Sequence, residues 1–199
     1  MSLESWKKLP RQVVDDPAAM RAFAHPVRLA LHELLMRAGA TTAADAAREV
    51  GISQALASYH LRQLAKYGFV EQAEARDERE RPWKATSLTQ NWSDAESSPE
   101  ASAARGLLEQ VIAERALARL AEWQERRMDE PDPWRTSGGI GNSYLYVTPD
   151  ELAALDAEFG RLLEPLMARI ADPSERPEGA RPVLLTTLLV PLPTTGTGD

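Results

Sequence analysis

The 199-residue sequence predicts a mainly α fold with small β elements, an α+β protein. Three observations carry that expectation. Apolar residues fall on helical faces within residues 26–67, form a wide drifting stripe over 101–128 and recur at three-and-four spacing onward from Pro149. Gly39, Gly51 and Gly68 close successive helical stretches, and the period turns from helical to extended after Gly68.

The elements follow in order. Residues 26–38 place Val27, Leu29, Ala30, Leu31, Leu34 and Leu35 on one broad face, which makes this a core helix that Gly39 ends. Thr42 caps a short helix running to Val50, with Asp45 completing a box and Gly51 stopping it. Ser53 then caps a second helix over residues 53–67, ended by Gly68. Two short helices across a three-residue turn have helix-turn-helix geometry. Residues 69–75 and 83–88 read as strands flanking a charged tip, a hairpin that forms a wing.

Residues 91–102 are polar, acidic and broken by Pro99, so they read as a linker. The expected organisation is a DNA-binding unit over 1–92, a linker over 93–102 and a dimerisation or effector region over 103–199. In that last region, residues 101–128 form a long helix whose stripe of Leu107, Leu108, Val111, Ile112, Leu120 and Trp123 is too wide for one small domain to cover, which predicts a dimer contact. Pro131, Pro133, Gly138, Gly139 and Gly141 interrupt any continuous helix over 129–142. A strand-helix-strand unit is expected next: a strand at 143–147, a helix opened by Thr148, Pro149 and Glu151 and kinked at Pro165, and a strand at 183–190. The tail after Pro191 is expected to fray.

The net charge of −7 divides unevenly. Residues 1–92 hold 13 Lys+Arg against 11 Asp+Glu, a net +2, while residues 93–199 hold 10 against 19, a net −9. A nearly neutral half can still present a basic face, because phosphate attraction depends on charge at the contact surface. The absence of cysteine excludes disulfides and thiolate metal sites. Residues 1–20 contain no continuous apolar run, so neither a signal peptide nor a membrane span is expected, and a cytoplasmic protein is.

A 100° turn per residue puts Leu56, Ala57, His60, Leu61, Leu64 and Tyr67 on the inward side of the second helix of the motif. The other side carries Gln54, Ala55, Ser58, Tyr59, Arg62, Gln63 and Lys66. Arg can fork onto guanine and Gln onto adenine, while Ser or Tyr can reach a base edge or phosphate. Arg76, Arg79, Arg81 and Lys84 of the wing join the expected DNA-binding set, although Asp77, Glu78 and Glu80 alternate with them and oppose phosphate. The histidines, His25, His32 and His60, all lie in the scaffold of the motif, and no acid/base or nucleophile constellation assembles around them; no enzyme is expected.

The stretch AFAHPVRLALHELL, then SQALASYHLRQLAKYGFV and the wing RDERERPWKAT, resembles the ArsR-type winged helix-turn-helix regulators over about 70 residues. The resemblance rests on His25, Pro26 and Arg28, on Ser53, Gln54, Ser58, His60, Leu61 and Leu64, and on Gly68. It implies a bacterial homodimer that represses transcription from an inverted-repeat operator in double-stranded DNA, with Ser53, Gln54, Ser58, Tyr59 and Arg62 as DNA contacts. Metal-sensing relatives carry a Cys pair in the first helix of the motif, or His and carboxylate ligands on the dimerising helix. Here the first helix reads TAADAAREV and residues 101–128 contain no His, so no metal and no cofactor are expected.

Two readings stay open. Strand alternation sets Tyr144 and Tyr146 on one face, where with Trp134 they line either a dimer contact or a pocket for an apolar small-molecule effector. The rival to DNA binding is a winged helix used as a protein-protein adaptor, which the overall acidity keeps open.

Overall fold

The computed structural model describes residues 11–74, 81–87, 89–92 and 98–193. Local capping chemistry sets where its helices begin. Helix α1 (Pro17–Phe23) starts at Asp16, whose carboxylate accepts the Ala18 N–H at 2.8 Å. Helix α2 (Pro26–Ala38) starts at His25, whose Nδ1 accepts the Val27 N–H at 3.2 Å, and stops at Gly39 with φ of 77°. Helices α3 (Ala43–Val50) and α4 (Gln54–Lys66) begin at Thr42 and Ser53, as the sequence predicts.

Strand β1 (Arg11–Val14) pairs in parallel with β4 (Thr89–Trp92), in register from Arg11 with Thr89 to Val14 with Trp92. No local pattern announced this pair. The wing is an antiparallel ladder of β2 (Val70–Gln72) and β3 (Trp83–Ala85), extended by a bond from Ala73 N–H to Pro82 O at 2.8 Å. Its paired part is shorter than the runs expected at 69–75 and 83–88. Thr41 adds a bridge on the other edge, exchanging bonds of 2.9 and 2.8 Å with Trp83.

Asn91 and Trp92 end β4 and Ser98 caps helix α5 (Pro99–Arg126); residues 93–97, between them, lie outside the described residues. A 3-10 turn (Arg127–Asp129), helix α6 (Asp132–Ser137), helix α7 (Pro149–Ala171) and a second 3-10 turn (Pro173–Glu175) complete the order. Helix α7 opens on the full capping box of Thr148 and Glu151 and continues through Pro165 as one element. The strands expected at 143–147 and 183–190 are not formed. A run of strand-forming residues makes a strand only where another strand supplies its ladder, and among the described residues neither segment has a backbone hydrogen-bond partner.

One core joins α1 to α4, the wing entry and the start of α5. Met20 and Phe23 meet Leu31 and Leu35 of α2, Ala46 and Ala47 of α3, Ala57, Leu61 and Leu64 of α4, Phe69, and Ala104 and Leu108 of α5. Phe23 is its aromatic centre, with ring centroids at 4.5 Å to Phe69, 5.0 Å to His32 and 5.3 Å to Trp92. Small residues at Ala101 and Ala104 let α5 approach α1 closely. Farther along α5, Arg115 forks onto half-buried Glu33 of α2, with Nε 3.0 Å and Nη2 2.8 Å from Oε2, and Arg119 reaches the same oxygen at 3.6 Å.

Leu108 therefore belongs to the core of its own chain, a correction to its expected place in a dimer contact. Truncating it removes a fully buried side chain, so Leu108→Ala is expected to cost about 2–5 kcal/mol in urea unfolding. A loss below about 1 kcal/mol would place α5 off the core.

Burial holds the His32 imidazole down to about 4, against the weaker upward pull of Glu33. A folded-state value below the unfolded 6.5 gives a stability contribution that is complete above pH 6.5 and is lost as pH falls toward 4. The slope in that window is about 1.4 kcal/mol per pH unit. Urea unfolding of the wild type and His32→Gln at pH 7 and pH 5 tests this: the variant should lose about that much of the pH dependence, and equal dependence in the two proteins would refute the assignment.

Candidate nucleic-acid interface

The turn between α3 and α4 is built from backbone bonds that fix the angle of α4. Gly51, at φ of 75°, is in the left-handed region, and its N–H and that of Ile52 both bond to Ala47 O at 2.9 Å. Thr42 Oγ1 accepts the Asp45 N–H at 3.2 Å and donates to the Asp45 carboxylate at 2.7 Å. Those bonds, with the Arg48 guanidinium beside it, hold the Asp45 carboxyl below its usual value. Ser53 Oγ accepts the Leu56 N–H at 3.2 Å. Ala46 and Ala47 lie under Ala57 and Leu61, and these short side chains permit the close crossing of the two helices.

Ala57, His60, Leu61 and Leu64 are buried, as their helical phase predicts. Leu56, expected on the inward side, is instead 40% exposed and borders the outer face. Ser53, Gln54, Tyr59, Arg62 and Lys66 are exposed, with Ser58 and Gln63 half-buried at the margins. The outer face thus brings together the recognition residues that the sequence singled out. Helix α4 contains no Asp or Glu, and Arg62 and Lys66 have no ion-pair partner among the described residues. The Lys66 ammonium lies 5.3 Å from the Tyr67 ring centre.

The wing cations divide. Arg81 is exposed, whereas Lys84 faces Glu71 across the ladder with Nζ 3.1 Å from its carboxylate, which offsets part of its pull on phosphate. Arg76 and Arg79 lie outside the described residues.

Behind α4, the His25 and His60 rings stand 4.6 Å apart, with Tyr59 at 5.1 Å from His60. Burial lowers both imidazoles below their ordinary value; Arg28 adds to the effect at each, and His25 adds to it at His60. His60 Nδ1 and Arg28 Nε are buried without a hydrogen-bond partner among the described residues. Sequence reasoning did not associate these three side chains; His25 caps α2 and Arg28 lies in its first turn, but only the packing of α4 on α2 adds residue 60.

The residues expected in a dimer contact or effector pocket are scattered. On α5, Val111 and Ile112 pack partly against the core, Leu120 is half-buried, and Leu107 is 44% exposed. Trp123 is engaged within its own chain: Arg127 lies 5.1 Å over its ring, and a Cβ at Gly138 would fall 2.7 Å from its Cζ2. Trp134 is covered by Arg181 at 5.1 Å, which also bonds Glu130 at 2.6 Å. Tyr144 and Tyr146 are 80% and 103% exposed, so they line no enclosed pocket. Leu117, which the sequence reading passed over, is a large exposed apolar residue of α5.

No helix among the described residues is long and apolar enough to cross a membrane. No curated protein matches the chain. Residues 23–73, from the last residue of α1 through α2, α3, α4 and β2, match the family model of a helix-turn-helix domain. A helix-turn-helix domain that displays a carboxylate-free polar face on its second helix points to a DNA-binding regulator rather than an enzyme.

Proposed function

We propose that this chain is a sequence-specific transcriptional regulator, a homodimeric repressor of the ArsR kind that reads an inverted repeat in double-stranded DNA. The observation that carries the reading is the outer face of α4. In a protein of net charge −7, a 13-residue helix without a single carboxylate presents Ser53, Gln54, Tyr59, Arg62 and Lys66 outward. The acidic bulk of the chain lies in residues 93–199, away from that sequence. An adaptor that bound only protein would have no need to exclude acids from this helix.

Arg62 is long enough to fork onto guanine in the major groove, with Gln54 and Ser58 nearer the helix start where base edges are closest. Lys66, one turn beyond Arg62, supplies a phosphate contact. Two such helices related by a two-fold axis enter successive major grooves about 34–36 Å apart, which sets the half-site spacing near one helical turn.

The test begins with a duplex recovered by selection from random DNA. Arg62→Ala should weaken binding to that duplex by about 1–3 kcal/mol and relax preference at one base pair per half-site. Lys66→Ala should weaken specific and random DNA alike and reduce the slope of log affinity against log salt by about 1 for each copy bound. If neither substitution changes the affinity for either DNA, α4 is not the reading element.

A further inference from the structure

The C-terminal part of the chain leaves a large apolar surface uncovered. Leu155, Leu162 and Leu166 of α7 are exposed, and no apolar residue of that helix belongs to the core. An amphipathic helix draws most of its stability from packing its apolar face, so α7 requires a cover. Every Val and Leu from Val183 to Val190 is more than half exposed, as are Tyr144, Leu145 and Tyr146. Among the described residues, neither 143–147 nor 183–190 has a backbone hydrogen bond to any other segment.

The pattern of 183–190 says what kind of cover is missing. In strand alternation, Val183, Leu185 and Leu189 fall on one face and Leu184, Leu188 and Val190 on the other. A run that is apolar on both faces is buried on both sides of its sheet, and such a strand left with an open edge is a ready template for pairing with another chain. Pro182 and Pro191 bracket it and limit its ladder to eight residues. Its own chain offers one strand-like neighbour, 143–147, and one covering helix, α7. With 143–147 along one edge, the other edge of 183–190 stays open, and a second copy of the same segment is the partner that closes it.

We infer that two copies of this chain pair residues 183–190 antiparallel across a two-fold axis, setting Thr186 opposite Thr187 of the partner subunit. Residues 143–147 form the outer strands of the resulting sheet, and the two α7 helices pack on it. Area supports this surface over α5. The exposed large apolar side chains from Ile140 to Leu192 present on the order of 2,000 Å², against the roughly 800 Å² per partner of a stable complex. On α5, with Leu108 in the core, the exposed large apolar residues are Leu107 and Leu117, on the order of 200 Å² together. The inference deepens the homodimer of the proposed function, and its test uses no DNA, so its failure is separate from failure of the α4 reading.

The test uses the full chain. In sedimentation velocity the wild type should be a dimer at micromolar concentration, and Leu188→Glu should weaken the dimer by about 100-fold, while Leu117→Glu on α5 should change it less than about threefold. Because Leu188→Glu acts on a segment that folds only with its partner, a second measurement keeps folding and association apart. The chain has no cysteine, so Thr186→Cys mixed with Thr187→Cys should give a disulfide-linked pair under mild oxidation, whereas Ser102→Cys, at the exposed start of α5, should not. A monomeric wild type, a dimer that survives Leu188→Glu but not Leu117→Glu, or absence of the 186–187 cross-link would each overturn the inference.

Discussion

The buried ring of Phe23 touches His32 of α2, Phe69 at the entry to the wing and Trp92 at the end of β4, and it lies on α1, which α5 covers. Three separate stretches of chain are thereby held at fixed distances from one side chain. Aromatic pairs at such separations contribute about 0.5–1.5 kcal/mol each beyond the area they bury. The orientation of α4 depends on this nest, because Leu61 and Leu64 share its core and Phe69 follows α4 directly through Gly68. The parallel pairing of β1 with β4 ties the same nest from outside, with Val14 buried and Trp92 in register beside it.

Helix starts and stops were legible in the sequence because they are local. Thr42, Ser53 and Thr148 each bond a backbone N–H three residues on, and Gly39 and Gly51 end their helices at positive φ, so each signal sits within a turn of what it controls. The outer face of α4 was legible for the same reason, since helical phase alone sorts most of it. What the sequence hid depends on distant partners. Nothing near Arg11 announces a strand that finds its ladder at Thr89, and nothing near Thr41 announces its bridge to Trp83. Leu108 and Leu107 are adjacent on one apolar stripe, and only the approach of α1 decides that the first is core and the second surface. The segments at 143–147 and 183–190 have strand composition, yet composition does not provide the second strand.

Charge is arranged by a similar division of labour. Acids of the C-terminal half are matched along helices by Arg105 with Glu109 and by Arg119 with Glu122, exposed pairs that steady a helix by a few tenths of a kcal/mol and are screened by salt. The cations Arg62 and Lys66 of α4 have no such intrachain match among the described residues. Cations left without internal partners keep their charge available to an external anion, whereas paired ones have already spent most of it.

The fork of Arg115 onto Glu33 fastens the middle of α5 to α2, the helix on which α4 rests. With Leu108 below it, the fork attaches α5 to the helix-turn-helix at two points, like a handle riveted to a blade. A tilt of α5 would pass through those two points toward α4. An angular change of about 10° at the handle displaces a point 20 Å away by about 3.5 Å, close to the rise of one base pair in B-DNA. If α4 is the helix that enters DNA, as proposed above, a displacement of that size would set the blade out of step with its groove.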